Sequence, residues 1–332
     1  MLTAVTALTA GTAAAVADVA VAVAAPNPNP GDEGGTKKLR DALEAAARGH
    51  IDAQAKLDAS TKRQTELTGR LRDVEARLVD LTAQVGAVAA RSYRLGRLTP
   101  YSMMLNSASP DELLQRSAAL ELISQLDSQK LRDLTDSRAQ ATEAKAAIDA
   151  EVVQQRKQVA VMAQKKKDAE RALAAVGGAT SAGFVNANSP LAKPAPRNSD
   201  GSWPSESCNV DDPTTGSCIT PRTLHAMQQA QAAGFKRYVS CHRSGGGGEH
   251  PKGRACDFSA AAGGFENVSA TGGDRTYGNN LAAYFIKNAG RLGVLYVIWY
   301  RQIWMPGTGW RSYDGAGSPA ADHTNHVHLS MY

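Results

Sequence analysis

Aromatic residues are scarce, at 5% of 332. One large globular core would need more, so part of the chain is expected to be elongated, with little core of its own. Cysteine is absent before Cys208. Proline is absent between Pro30 and Pro100, so nothing in that stretch forbids a long helix. Residues 2–25 hold a single charge, Asp18, in a run of small apolar residues. That charge interrupts the run and argues against a membrane-spanning helix.

What is present divides the chain. Residues 1–25 read as a secretory signal with a small-x-small cleavage site, such as Ala22-Val23-Ala24 or Ala15-Val16-Ala17. The basic start usual for such signals is missing, and the true start codon could lie upstream. Residues 26–36 are a Pro- and Gly-rich spacer. From residue 37 to 176 the composition turns to Ala, Leu, Glu, Arg and Gln. Leu67, Leu71, Val74, Leu78, Leu81, Val85 and Val88 alternate steps of four and three, which predicts a coiled-coil seam. Gly49, Gly69 and Gly86 weaken this helix without ending it. The helix is expected to stop near Leu95-Gly96. An apolar patch, Leu98 to Leu105, falls outside the heptads. Ser109-Pro110-Asp111-Glu112 then supplies an N-cap, a first-turn proline and a capping-box acid. A second helix is expected from there to about Val176, with a seam through Leu113, Leu120, Ile123, Leu131 and Leu134, folding back on the first. Lys165-Lys166-Lys167 reads as a solvated helix face.

Residues 177–207, rich in Gly, Ser, Asn and Pro, predict a flexible tether. Residues 208–332 concentrate the aromatics, many glycines and all four cysteines, as a compact domain would. Expected elements are a helix capped by Thr220-Pro221 and ending at Gly234, a strand at Tyr238–Ser240 and a strand at Cys256–Ser259. A helix over Asn279–Leu292, a buried strand over Val294–Tyr300 and a last strand over His326–Met331 follow. The fold class is therefore α+β: a long antiparallel coiled-coil hairpin, a linker, and a small domain with a mainly antiparallel sheet. An even cysteine count confined to one domain implies two disulfides and an exported, extracytoplasmic protein. The net charge of +5 is mild. It suits an acidic wall polymer and is too diffuse to argue for nucleic acid.

The chemistry concentrates near the C-terminus, in His250-Pro-Lys-Gly253-Arg-Ala255-Cys-Asp257 and in His326-Val-His328. Residues two apart on a strand face the same way, so His326 and His328 share one face of the last strand. His250, Asp257 and one histidine of that pair can ligate a metal ion, leaving the other imidazole beside it. Zinc is bound by such nitrogen and oxygen donors with a position left open for water, and the free imidazole could carry a proton to a leaving amine. His323 and Asp322 could substitute as ligand or base. His242 reads as a strand or loop residue, and His50 and His225 as exposed helix residues.

His-x-x-Gly-x-Ala-x-Asp followed by a late His-x-His resembles the zinc peptidases grouped with lysostaphin, D-alanyl-D-alanine carboxypeptidases and penicillin-insensitive murein endopeptidases. Ser240-Cys-His-Arg243-Ser244 is similar to a Ser-Gly-Tyr-Arg-Ser stretch of the carboxypeptidase branch. The resemblance covers Tyr238 to Tyr332 and implies a peptidase with one zinc ion, acting on peptidoglycan stem peptides. It implies His250, Asp257 and His328 as ligands, His326 as base or transition-state stabiliser, and Arg243 as the group that binds a substrate carboxylate. The sequence departs from the carboxypeptidase pattern at Asn325, where that branch has a catalytic Glu. This departure leaves room for a wall-binding or scaffold domain that does not cut. Cys256 is expected on the opposite face from Asp257, where it could pair with Cys241 on a neighbouring strand, leaving Cys208 and Cys218 to close a small loop. The same alternation turns Arg243 away from Asp257 unless the strand has ended before it. The helical half, with its Tyr93-Arg-Leu-Gly break and Ser102–Ser107 patch, is similar to the coiled-coil regulatory region of secreted peptidoglycan hydrolases. That similarity implies a cell-division ABC-type membrane complex as partner. The arm could equally be a spacer, or pair two copies of the chain.

Overall fold

Two long helices account for the first half of the chain. The structure, a computed structural model, describes residues 36–96, 99–174, 177–315 and 317–332. The expected signal and nearly all of the spacer lie outside these residues. Helix α1 spans Lys37–Leu95, a short α2 spans Thr99–Leu105, and α3 spans Pro110–Leu173. The chain divides into two compact units, Ala45–Ala169 with Pro196–Pro204, and a second comprising the residues up to Glu44, Glu170–Ala195 and Ser205–Tyr332.

In the helical unit, the seam residues of α1 from Leu67 to Val88 are buried or half-buried, and most residues between them are exposed. Polar contacts tie α1 to α3 in an order that falls on one helix as it rises on the other. Arg63 Nε donates to Glu151 Oε1 at 2.8 Å, Lys145 pairs with Glu75 at 3.1 Å, and Arg91 donates to Asp127 at 2.6 Å. The seam expected on α3 is met at Leu134, which is buried, and at Leu120, which is half-buried, and is corrected at its other positions. Leu113, Ile123 and Leu131 are exposed. From Leu134 the sheltered line runs on through Ser137, Ala141, Ala144 and Ile148 to Ala169. Small side chains let a second backbone approach, so these positions shelter without an apolar signature. The start of α3 is as read: Ser109 Oγ accepts from the Glu112 N–H at 3.2 Å, and the Glu112 carboxylate accepts from the Ala108 N–H at 2.8 Å. The two contacts satisfy two otherwise orphaned donors.

The second unit is built on a seven-stranded sheet. Its strands are β1 Gly177–Thr180, β4 Val239–Ser240, β5 Ala255–Ser259, β6 Val294–Trp299, β7 Gln302–Met305, β8 Gly309–Tyr313 and β9 His326–Met331. The order is β1-β8-β7-β6-β9-β5-β4, and every neighbouring pair is antiparallel. A separate ribbon pairs β2 Val210–Asp211 with β3 Cys218–Ile219. The β7–β8 hairpin was not expected from the sequence. It follows a tight turn at Tyr300-Arg301, whose positive φ angles of 50° and 61° suit the right-handed twist of the flanking strands.

Helix α4 covers Pro221–Ala232, with Thr220 as its side-chain cap. Helix α5 covers Gly272–Lys287, and α6 covers Ala289–Leu292 up to a left-handed Gly293. The single helix expected over Asn279–Leu292 thus starts earlier and breaks at Asn288. The Asn288 amide accepts from the Ala192 N–H at 2.8 Å and donates to Pro190 O at 3.0 Å. Leu281 and Phe285 of α5 pack over Phe258, Val297 and Leu329 of the sheet in one buried cluster.

The flexible tether is also corrected. Its first residues are the edge strand β1, paired with β8, and Ala192 and Ala195 are buried. Backbone groups that Gly and Pro leave without a regular ladder are held by side chains: Lys287 Nζ donates to Ala187 O and Ser189 O, both at 2.6 Å. Residues 177–195 therefore belong to the sheet unit, whose boundary lies well before residue 208.

Candidate metal centre

The central pair of strands carries the site. Strand β9 lies between β6 and β5, with His328 opposite Asp257 and His326 opposite Ser259. Cross-strand partners share a face, so pairing alone brings the Asp257 carboxylate to the His328 imidazole. His250 comes from a 3-10 turn, His250–Lys252, closed by Gly253 at φ 67°. That turn folds back beside the start of β5.

Three atoms converge. Asp257 Oδ1 is 2.9 Å from His328 Nδ1 and 3.2 Å from His250 Nε2, and the two ring nitrogens are 3.2 Å apart. All three residues are buried. The outer ring nitrogens are engaged: His250 Nδ1 donates to the Cys241 carbonyl, and His328 Nε2 lies 2.7 Å from Ser330 Oγ. A carbonyl can only accept, so His250 carries its proton on Nδ1. With Nε2 unprotonated, the ring turns a lone pair toward the Asp257 oxygen, an acceptor facing an acceptor. Such a centre calls for positive charge between the atoms. Zinc ligands at about 2.0–2.1 Å in a tetrahedron stand roughly 3.3–3.4 Å apart, close to the separations found. The outer-nitrogen contacts are those that fix ring orientation in metal sites. The donor set therefore fits a divalent ion.

Four further groups stand around this centre. Arg243 Nη1 donates to Asp257 Oδ2 at 2.7 Å. Strand β4 ends at Ser240, which frees Arg243 from strand alternation and lets it reach the carboxylate. Burial opposes ionisation of Asp257, but the His250, His326 and Arg243 charges outweigh it and hold the carboxyl well below its usual range. His326 Nε2 lies 3.5 Å from Asp257 Oδ1. Its Nδ1 is 2.7 Å from Asn325 Oδ1, while Asn325 Nδ2 donates to Glu266 O at 2.6 Å. Glu266 O fixes which way the amide faces. Asn325 Oδ1 must then accept from His326 Nδ1–H, which leaves the lone pair of Nε2 turned toward the centre. Burial pushes the His326 pKa down to about 4, with Asp257 opposing that fall. At neutral pH the ring is a neutral acceptor.

His323, weighed in the sequence only as a substitute ligand or base, is the group the pattern undervalued. It is buried, with φ 52°, and its ring centroid is 4.8 Å from that of His326 and 5.6 Å from that of His328. Nδ1 contacts Ala321 O at 3.1 Å, and Nε2 is buried without a hydrogen-bond partner among the described residues. Burial first, then His326 and His328, holds its pKa well below the imidazole range. The signal that could have found it is its place in a short turn clamped to the β6–β7 hairpin: Tyr300 N–H donates to His323 O at 2.8 Å. Asp322 is not brought in. It accepts from Gly317 N–H at 3.3 Å and pairs with Arg301 at 3.5 Å.

The cysteines form two disulfides, Cys208–Cys218 and Cys241–Cys256. His242 lies near the first, but both sulfurs there are spent in the bond, so that group is not a metal site. His50 and His225 are half-buried rather than exposed. His225 Nε2 meets Lys193 O at 2.8 Å.

A family model described as VldE, C-terminal domain, matches residues 215–324. The matched stretch carries Arg243, His250 and Asp257, and stops short of Asn325, His326 and His328. No curated protein matches the chain.

Proposed function

We propose that this chain is an exported zinc-dependent peptidase that hydrolyses amide bonds in peptidoglycan stem peptides, with its paired helices as a regulatory coiled-coil arm. The observation that carries the reading is the convergence of His250 Nε2, Asp257 Oδ1 and His328 Nδ1 beside an acceptor nitrogen of His326. His250, Asp257 and His328 would hold the ion. When bound, zinc supplies Lewis acidity to a carbonyl and lowers the pKa of water.

The chain's own groups supply the rest. His326, set as an acceptor by Asn325, takes a proton from the attacking water and returns it to the leaving amine. Asn325, where the carboxypeptidase pattern has Glu, thus acts through His326. Arg243, a planar donor fork anchored to Asp257 through Nη1, would take a substrate carboxylate. The two disulfides support an oxidising compartment, and among the described residues no helix is long and apolar enough to cross a membrane.

The opposed order of contacts between α1 and α3 and their sheltered lines support a coiled-coil hairpin. Near the α1–α3 turn, Arg91, Leu95, Tyr101, Met104, Leu120 and Ile123 line a groove of about 760 Å³, while Tyr93 and Leu105 are exposed. A plain spacer has no need of such a surface. It suits a protein partner such as a membrane complex, or a second copy.

The test is the zinc content of the purified, oxidised full chain, run beside a digest of purified peptidoglycan read by mass spectrometry. One equivalent of zinc and new stem-peptide fragments, both lost in His250→Ala, are expected. Zinc without fragments would favour a binding domain. A chain that takes up no zinc would end the peptidase reading.

A further inference from the structure

The disulfide Cys241–Cys256 touches the metal centre at both ends. Cys241 supplies the carbonyl that holds His250 Nδ1. Cys256 is the residue before Asp257 and pairs across the strands with Leu329, the residue after His328. The bond therefore spans from the residue that aims the first ligand to the neighbour of the second. Both cysteines are buried, at 1% and 0% exposure.

The backbone needs the tie here. Strand β4 has two residues, and its ladder with β5 ends at Ser240, opposite Asp257. Cys241 lies one residue beyond the ladder, at the point where the chain leaves the sheet for the glycine-rich 245–248 stretch. Few other bonds hold its carbonyl in place. The Cys241 N–H donates to Thr214 Oγ1 at 2.9 Å, and the His242 N–H donates to Asp212 Oδ2 at 2.8 Å. Both acceptors lie in the turn between β2 and β3, outside the seven-stranded sheet.

Resting on the metal reading above, we infer that Cys241–Cys256 is a positioning element of the metal centre: the site gains its affinity for zinc only once this bond has formed. Formation is thiol–disulfide exchange with a disulfide-bearing oxidant. The two cysteine thiols give up two electrons and two protons, their sulfurs join, and the oxidant's S–S bond opens to two thiols. Before export the ligands are then present but not aimed, and the protein takes up metal after oxidation. Outer partners of metal-bound histidines are commonly worth roughly 10–100-fold in metal affinity.

The experiment titrates zinc against a chromophoric chelator in the full chain. It compares the oxidised protein with Cys241→Ala/Cys256→Val, which keeps the volume and removes the bond. Gly278→Ala is the control for lost stability alone, since it lies on α5, outside the centre. We expect zinc affinity to fall by roughly 10–100-fold in the double variant, with near-ultraviolet circular dichroism retained, and to be unchanged in the control. Equal affinity in the double variant and the oxidised protein overturns the inference and leaves the metal reading standing. Oxidised protein without zinc removes the metal reading, and this inference with it. If the double variant does not fold, the oxidised, zinc-loaded protein is treated with a phosphine reductant until a thiol count shows four free thiols, and zinc release is timed against loss of the dichroism signal. Release first upholds the inference, and simultaneous loss or no release overturns it.

Discussion

His326 donates its Nδ1 proton to Asn325 across 2.7 Å, and the amide is held in that sense by the Glu266 carbonyl. The residue standing where the carboxypeptidase pattern has an acid is thus committed to orienting its neighbour. Asn325→Ala should lower kcat while zinc content stays at the level of the parent protein. General-base contributions of about 10²–10⁴-fold set the upper range of the loss. Asn325→Asp, which keeps an acceptor for Nδ1, should retain more activity than Asn325→Ala. Steady-state kinetics on a stem-peptide substrate, with metal analysis of each variant, checks this. Equal kcat in all three proteins would show that Asn325 does not act through His326.

Removing a ligand should act differently. His328→Ala is expected to lose more than about 100-fold in zinc affinity, since outer partners alone are worth roughly 10–100-fold. The sheet should persist, because Val327 and Leu329 on the other face of β9 stay in the core. Competition titration and circular dichroism on the same sample report the two properties separately.

Gly278 lies on α5 against the indole of Trp299, which a Cβ would strike. Trp299 cannot withdraw easily, being fully buried and donating from Nε1 to Asn279 Oδ1 at 2.9 Å. Gly278→Ala should destabilise the sheet unit by about 1–3 kcal/mol, the usual cost of overpacking. A lowered Tm for that unit, with α1 and α3 unaffected, is the expected calorimetric result.

In the helical unit, Arg63 and then Ser60 hydrogen-bond the Glu151 carboxylate and hold its pKa below the ordinary value. A depressed carboxyl contributes stability above its unfolded pKa and loses it as pH falls through the folded one. Melts of the helical signal should therefore weaken below about pH 4.5, the ordinary range of Glu. Arg63→Ala should flatten that dependence. An unchanged slope would mean that the pair contributes nothing, as many exposed pairs do.

The legible parts of this chain were those where one residue type signals one physical demand. Leucines and valines at heptad spacing marked the sheltered line of α1, Ser109 to Glu112 marked a helix start, and alternation placed His326 and His328 together. Pairing of β5 with β9 then set Asp257 opposite His328, which the sequence could state only through resemblance. The sheltered line of α3 was hidden because Ala141, Ala144 and Ser137 are as common on exposed faces as in close helix contacts. The tether was misread because Gly and Pro announce a missing ladder and say nothing of side chains, such as Asn288 and Lys287, that replace it. His323 was undervalued because a turn residue gains its place from the hairpin that clamps it, and β7 and β8 were not foreseen.

Strand β1 has a consequence for anyone dividing the protein. It covers the outer side of β8, yet the chain leads from it through more than twenty residues before the cysteine-bearing part begins. A fragment beginning at Ser205 would expose a row of unpaired N–H and C=O groups along β8, the kind of open margin that recruits another chain. Dimers or aggregates of such a fragment would record the missing strand and would say nothing about how many copies the intact protein forms.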